Sequence, residues 1–168
     1  MKRQFQFEVK SIASDGTFTG LASTYGNVDL GNDMVMPGAF TKTLSDKRGQ
    51  VPLLMGHDTS SPIGLAVLTD TPSGLQVKGE LVLEVPEAKS AYALLKKGVI
   101  KGLSIGYDTV KSVMDGGVRK LTELKLFEVS LTPFPMNESA VITSVKAEGD
   151  QIAQFRRVLA ECRKSFGR

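Results

Sequence analysis

The sequence is dominated by short segments in which apolar and polar residues alternate, and each segment ends at a turn. Alternation with a period of two is typical of strands that bury one face. The turns are rich in Gly, Asp, Asn and Pro, as in Ser14-Asp15-Gly16 and Asp115-Gly116-Gly117. Many short strands of this kind predict a mostly antiparallel barrel or sandwich. The predicted strands, in chain order, are 5–10, 17–22, 51–58, 63–68, 75–83, 101–110, 121–131 and 140–145.

Helical spacing interrupts this pattern at two or three places. A short helix is predicted from Pro37 to about 47–49, and a second begins at Pro86 and ends at Lys96-Lys97-Gly98. A third, amphipathic helix is predicted at about 150–166, with apolar residues three and four positions apart. We therefore expect a mainly β (α+β) fold with peripheral helices, as one domain over 1–168 with its barrel core at about 3–146.

Composition excludes several classes of protein. The chain has 168 residues, of which 41% are hydrophobic and 23% charged, as is ordinary for a globular protein. No apolar run is long enough to span a bilayer, so we expect no membrane segment. The single cysteine, Cys162, lies on the apolar stripe of the third helix, which favours packing over a nucleophilic role. With one histidine and one cysteine the usual zinc sites are excluded, and we expect neither metal nor cofactor.

The charge does not favour nucleic acid as a partner. The net charge is +3, and much of it lies in the C-terminal tail, where a solvated helix face is the simpler interpretation. Binding of single strands needs aromatic side chains among basic ones, and the chain has no Trp and three Tyr. We therefore expect no specific nucleic-acid partner.

Ser104 is the candidate nucleophile, within Gly102-Leu103-Ser104-Ile105-Gly106. The spacing matches a nucleophile elbow, but an elbow needs a helix after the serine and a histidine later in the chain. Here a strand continues, and the one histidine, His57, comes earlier. On a strand, two glycines beside Ser104 would leave room for an extended peptide. A strand bent by its glycines, with an incidental serine, is the other interpretation, and both stay open.

His57 and Glu128 are the candidate partners of Ser104. Glu128 lies within the apolar run 126–131, and burying a carboxylate costs several kcal/mol unless it is paired. Pairing with His57 would meet that need and orient the imidazole as a base. Lys101 as the partner, or an exposed Glu128, would be the structural alternative, and Asp58 would face away from its neighbour His57. In this scheme Ser104 attacks a carbonyl, His57 transfers the proton and nearby backbone N–H groups hold the oxyanion.

Several motifs together resemble the prohead (capsid maturation) proteases of tailed bacteriophages. The resemblance runs from about Val9 to Val145 and keeps the order of the family's motifs. That family is similar in fold to the herpesvirus assemblins, which are antiparallel barrels surrounded by helices. The motifs are Asn32 to Phe40, Gly56-His57-Asp58, Pro62-Ile63-Gly64, Gly102 to Tyr107, and Glu128 to Leu131 followed by Pro133 and Pro135.

The resemblance implies Ser104 as nucleophile and His57 as base. It places Glu128 on the strand of the third member, where the herpesvirus enzymes have a second histidine. Those enzymes also support the oxyanion with an arginine after that member, but no arginine follows Glu128 before Arg156, so this role is unassigned.

The resemblance also implies partners and a location. The substrate would be the scaffold segment of the major capsid protein, a separate scaffold protein, or the protease itself. The protein would act in the bacterial host cytoplasm, inside the assembling prohead, and could self-associate through helices as its herpesvirus-type relatives do.

Two functional hypotheses follow from the sequence. The first is a serine endopeptidase of phage capsid maturation that uses Ser104, His57 and Glu128. The second is a non-catalytic β-barrel that binds capsid or scaffold protein during assembly. The second hypothesis predicts that the three side chains lie too far apart to form hydrogen bonds.

Overall fold

The computed structural model describes residues 15–144. The predicted strand at 5–10 and the predicted helix at 150–166, with Cys162, lie outside these residues. The described elements are β1 (Thr17–Thr24), β2 (Asp33–Val35), α1 (Thr41–Lys47), β3 (Gln50–Met55), β4 (Pro62–Thr71), β5 (Gly74–Leu81), α2 (Pro86–Lys96), β6 (Gly102–Asp115), β7 (Val118–Thr132) and β8 (Ile142–Ser144).

Within 15–144, the predicted strands and both predicted helices are present with shifted bounds. The helix α2 begins with Pro86 in its first turn, and it buries Ala88, Ala91 and Leu95 as its apolar stripe predicts. The strand β2 was not predicted, because its three residues are too few to show alternation. No helix within the described residues is long and apolar enough to cross a membrane.

The eight described strands form one curled sheet that contains both antiparallel and parallel pairs. The order is β2-β7-β3-β4-β5-β1-β8, and β6 pairs with β7. The strands β2 and β3 both run parallel to β7, whereas the other pairs are antiparallel. The predicted mainly β fold with peripheral helices is confirmed, whereas the antiparallel barrel is confirmed only in part, because the curled sheet is open and contains parallel pairs. The β8 end of the sheet approaches β6 through a single bridge between Gly102 and Val141.

The parallel pairs arise because α1 connects two strands that lie along the same long neighbour. The strand β2 pairs with 119–121 of β7, and β3 pairs with 129–131 further along. Between these stretches, the Leu124 N–H donates to Ala39 O, just before α1, and the Leu126 N–H donates to Thr43 Oγ1 within it, each at 3.0 Å. The helix and the turn before it therefore satisfy backbone groups of β7 that would otherwise be buried without a partner.

The concave side of the sheet holds an apolar core. Its largest fully buried side chains include Phe18, Phe40, Leu53, Leu103 and Leu126. A residue larger than glycine at position 79 would collide with the ring of Phe18, so this part of the core depends on a bare backbone.

Candidate active site

Three strands bring Ser104, His57 and Glu128 to one end of the sheet. Ser104 lies on β6 and Glu128 on β7, where Ser104 pairs with Ser130 and Gly106 pairs with Glu128. The strand β3 pairs with the other edge of β7 and ends at Met55, two residues before His57. The central position of β7 is therefore what places three segments distant in sequence beside one another.

The three side chains form a continuous chain of hydrogen bonds. His57 Nε2 lies 3.0 Å from Ser104 Oγ, and His57 Nδ1 lies 2.6 Å from Glu128 Oε1. Glu128 is 6% exposed, as the apolar run around it predicts. The His57 side chain is 46% exposed, so the imidazole is reachable from solvent. The non-catalytic hypothesis predicted larger separations, and these distances oppose it.

The alternative partners considered for His57 and Glu128 do not take part. Asp58 Oδ1 accepts hydrogen bonds from the backbone N–H and hydroxyl of Ser60, at 2.9 and 2.6 Å. Lys101 is exposed. The buried carboxylate is thus compensated by the imidazole and by neighbouring donors.

His57 lies in a tight turn, whereas the sequence analysis placed it on the strand 51–58. Gly56 and His57 have φ values of 59° and 65°, and the Asp58 N–H donates to Met55 O at 3.1 Å. Two successive positive φ values with this hydrogen bond match a type I′ turn. A left-handed conformation costs about 1–2 kcal/mol for a residue other than glycine, so the turn at His57 needs support from its surroundings.

Ser130 supplies that support, and the sequence analysis missed it. Its Oγ accepts a hydrogen bond from the His57 N–H at 2.9 Å and donates one to Glu128 Oε2 at 2.7 Å. The residue is 0% exposed. A polar residue two positions from Glu128 within the otherwise apolar run 126–131 was the available signal, because alternation puts both on one face.

The glycines beside Ser104 accommodate protein groups on both sides. A Cβ at position 106 would overlap the carboxylate of Glu128, and one at position 102 would lie 2.7 Å from Pro135 Cδ. The expectation that these glycines leave the serine face open for a peptide is therefore wrong. They let Glu128 and the 133–137 segment lie close to Ser104.

A β-bulge at Phe127 turns Glu128 toward the site. The register passes from Gly106↔Glu128 to Tyr107↔Leu126, which leaves Phe127 without a partner on β6. Leu124 and Leu126 belong to the core before the bulge, and Val129 and Leu131 belong to it afterwards. If Phe127 were an ordinary paired residue of the ladder, strict alternation would put Glu128 on the same face as Leu126.

A cleft of about 190 Å³ opens beside the three side chains. Its lining combines apolar and polar groups from β1, β2, β6 and the loops that follow β1 and β7. The lining residues are Ala22, Ser23, Asn27, Asp29, Gly31, Asp33, Val35, His57, Leu103, Ser104, Ile105, Tyr107, Met136 and Asn137.

An ion pair between the exposed Arg119 and the buried Asp33 holds one wall of the cleft. Arg119 binds both oxygens of Asp33, at 2.7 and 2.6 Å, and Tyr107 donates to Asp33 at 3.3 Å. The hydrogen bond from Arg119 holds the pKa of Asp33 below its ordinary value of 3.8. Burial, with the nearby negative charge of Asp33, raises the pKa of Tyr107 to about 12. Both groups keep one protonation state throughout the neutral range.

The two loops that border the cleft are joined by side-chain amides. Asn137 Nδ2 donates to the Thr24 hydroxyl at 2.9 Å, and Asn27 Nδ2 donates to Asn137 Oδ1 at 3.0 Å. The Leu30 N–H also donates to Met136 O at 3.1 Å.

Residues 15–144 contain no group of three or more His, Cys, Asp or Glu side chains arranged to hold a metal ion.

Comparison with solved structures identifies a neighbour in fold. The crystal structure of the KSHV protease in complex with a hexapeptide phosphonate inhibitor matches this structure with a TM-score of 0.52 at 14% sequence identity. The match covers 75% of this chain and 63% of that chain. The predicted similarity to a herpesvirus protease fold is therefore confirmed.

Comparison with known sequences identifies the family. The chain is 32% identical over 158 residues to the prohead protease of Enterobacteria phage HK97, which covers 90% of this chain and 69% of that protein. It is 27% identical over 161 residues to the prohead protease of Escherichia phage T5, covering 89% of this chain and 75% of that one. A capsid polyprotein of Pseudomonas phage PAJU2 is 32% identical over 151 residues, which are 83% of this chain and 22% of the polyprotein. The family model of the caudovirus prohead serine proteases matches residues 5–155, and this chain therefore belongs to that family.

Proposed function

We propose that this protein is an endopeptidase that cleaves capsid scaffold segments during prohead maturation, with Ser104, His57 and Glu128 as its catalytic triad. The observation that carries the proposal is the pair of hydrogen bonds that His57 makes, at 3.0 Å to Ser104 and at 2.6 Å to Glu128. A nucleophile, a base and an orienting acid joined in this order are the parts that acyl transfer by serine requires.

The proposed mechanism gives each ring nitrogen of His57 a role. Glu128 Oε1 accepts a hydrogen bond from Nδ1–H, which leaves the Nε2 lone pair facing Ser104 Oγ. Nε2 takes the hydroxyl proton as Oγ attacks the scissile carbonyl carbon, and the new imidazolium is stabilised by the carboxylate. The same proton then passes to the leaving amine, which gives an acyl-enzyme. Water hydrolyses this ester with His57 again as the base.

The cleft beside Ser104 is the proposed site of the substrate segment. It is bordered by loops held together through Asn27 and Asn137, so a bound chain would meet a preformed surface. Its mixture of apolar and amide groups suits an extended peptide with alternating side chains.

The proposed substrate is the scaffold segment of the major capsid protein or a separate scaffold protein, with the protease itself as a further substrate. Two relatives carry the name prohead protease, and a third is a capsid polyprotein. The corresponding place of action is the interior of the assembling prohead, in the cytoplasm of the bacterial host. Self-association of the protease stays a prediction.

The experiment is co-expression of the protein with its cognate capsid and scaffold proteins, as the wild type and as Ser104→Ala. We expect loss of cleavage in Ser104→Ala, with an unchanged circular dichroism spectrum and melting temperature. Ser112→Ala is the matched control, because Ser112 lies on the same strand and is exposed. A peptidyl phosphonate, which reacts with activated serines, should label the wild type and Ser112→Ala only. Undiminished cleavage by Ser104→Ala would contradict the proposal.

A further inference from the structure

Ser130 closes a ring of hydrogen bonds that begins and ends on His57. The backbone N–H of His57 donates to Ser130 Oγ at 2.9 Å, and the Ser130 hydroxyl donates to Glu128 Oε2 at 2.7 Å. The other carboxylate oxygen, Oε1, lies 2.6 Å from Nδ1 of the His57 ring. The ring therefore joins the backbone of His57 to its own imidazole through two side chains of β7.

The direction of these hydrogen bonds is fixed by chemistry. A backbone N–H can only donate and an ionised carboxylate can only accept, so the group between them must do both. The hydroxyl of Ser130 does both: its O–H donates to Glu128 Oε2, and a lone pair on its oxygen accepts the hydrogen bond from the His57 N–H. Since Ser130 is completely buried, water cannot replace it without displacing protein atoms.

The ring constrains two features of His57: the conformation of its backbone and the orientation of its imidazole. The backbone of His57 is left-handed at φ 65°, and the hydrogen bond from its N–H to the buried Ser130 hydroxyl helps to hold this strained turn. Both oxygens of the Glu128 carboxylate form hydrogen bonds, Oε1 with His57 Nδ1 and Oε2 with Ser130. The carboxylate group therefore cannot rotate freely, and Oε1 stays in position to accept the hydrogen bond from Nδ1–H. Ser130 itself pairs with Ser104 across the β6–β7 ladder, so the backbone pairing fixes the position of the ring relative to the nucleophile.

We propose that Ser130 is a positioning residue, whose hydroxyl holds the His57 backbone and the Glu128 carboxylate in the relative arrangement that presents Nε2 to Ser104. The proposal rests on the proposed triad for its catalytic consequence, but its structural part can be tested without any activity. Displacement of a catalytic group by about 1 Å costs on the order of 100-fold in rate. Loss of the ring should therefore lower kcat without removing any group that binds substrate.

The structural test uses the fact that His57 is the one histidine in the chain. Its imidazole ¹H and ¹⁵N NMR signals need no further assignment. In the wild type we expect a downfield Nδ1 proton, protected from exchange by its hydrogen bond to Glu128. In Ser130→Ala we expect this signal to shift upfield and broaden through faster exchange. An unchanged signal would overturn the proposal.

The control is Thr43→Val. Thr43 is also buried, and its hydroxyl also accepts a backbone N–H, that of Leu126 on the same strand, at 3.0 Å. Its hydroxyl bonds Leu126, which is not a member of the ring, so its loss should lower the melting temperature and leave the imidazole signals unchanged. An equal change of the His57 signals in Thr43→Val would show general loosening of β7 and would count against a specific role for Ser130.

The kinetic test compares the same variants on a cleavable peptide or capsid substrate. We expect Ser130→Ala to lose about 10- to 100-fold in kcat with KM changed by less than about twofold. Ser130→Cys keeps the shape but weakens both hydrogen bonds, and it should fall between the wild type and Ser130→Ala in kcat and in the NMR signal. It is also the variant to use if Ser130→Ala does not fold. A loss confined to KM, or full activity of both variants, would overturn the proposal.

The two proposals fail in distinguishable ways. If Ser104→Ala still cleaves while Ser130→Ala alters the imidazole signals, the triad is wrong and the hydrogen-bond ring stands. If Ser104→Ala is inactive and Ser130→Ala is normal in both tests, the triad stands and the role of Ser130 is wrong.

Discussion

Gly106 lies opposite Glu128 across the β6–β7 ladder, and the carboxylate of Glu128 occupies the space that a side chain at position 106 would fill. Glu128 can therefore take its position only because residue 106, next to Ile105 in the serine motif, is a glycine. The acid, in turn, is held from its other side by Ser130.

Gly106→Ala should lower activity by moving Glu128. The new methyl group would overlap the carboxylate, so we expect a fall of about 100-fold in kcat/KM, measured on a peptide substrate. Because the loss acts through Glu128, adding Gly106→Ala to a Glu128→Ala variant should cost little more. Additive losses in this double-mutant cycle would contradict the explanation.

Glu128→Gln should lower kcat by about 1,000-fold or more while the protein stays folded. An amide of the same size loses the charge that stabilises the imidazolium and the preference for the Nδ1–H tautomer. Glu123→Gln is the control, because Glu123 lies on the same strand but forms ion pairs with Lys42 and Lys111. Steady-state kinetics and a thermal melt of both variants test this prediction. Comparable kcat values for the two variants would show that Glu128 has no special role.

Asp33→Asn should destabilise the fold by about 0.5–1 kcal/mol at neutral pH, because Asp33 loses the charge that pairs with the partly exposed guanidinium of Arg119. The pKa of Asp33 lies below its ordinary value of 3.8, so its contribution is complete above that value and is lost as the pH falls through the folded-state pKa. Denaturant melts of the two proteins should therefore differ by a constant amount between about pH 5 and pH 7 and converge below about pH 4. A difference that widens on acidification would contradict this sign.

Gly79→Ala should destabilise the core by about 1–3 kcal/mol, because its methyl group would collide with the buried ring of Phe18. The smaller side chain in Phe18→Leu should relieve part of this collision. In denaturant melts, the double variant should lose less stability than the sum of the two single variants. A simple sum would indicate that the two positions do not interact.

The sequence was sufficient where a signal lies within one segment. The apolar stripe at Ala88, Ala91 and Leu95 predicted α2, and the apolar run around Glu128 predicted its burial. With a single histidine, His57 was the only candidate imidazole, and the structure brings it to Ser104 and Glu128.

The sequence was insufficient where a feature depends on the register between segments. The parallel pairing of β2 and β3 with β7 depends on how α1 packs, and no local pattern reports it. The partners of Gly106 and Ser130 likewise depend on which residues face each other across a ladder. The turn at His57 was missed because an apolar run with one glycine resembles a continuous strand.

The unpaired residue at Phe127 has a consequence for how this region can vary. A chain shortened by that one residue could keep the pairs Gly106–Glu128 and Tyr107–Leu126, because Glu128 would then follow Leu126 directly on a regular ladder. Glu128 and Ser130 would stay on one face, and Val129 and Leu131 would stay in the apolar core. Substitution or loss of residue 127 is therefore compatible with the site, whereas deletion of Val129 would put Ser130 on the face opposite Glu128 and separate its hydroxyl from the carboxylate.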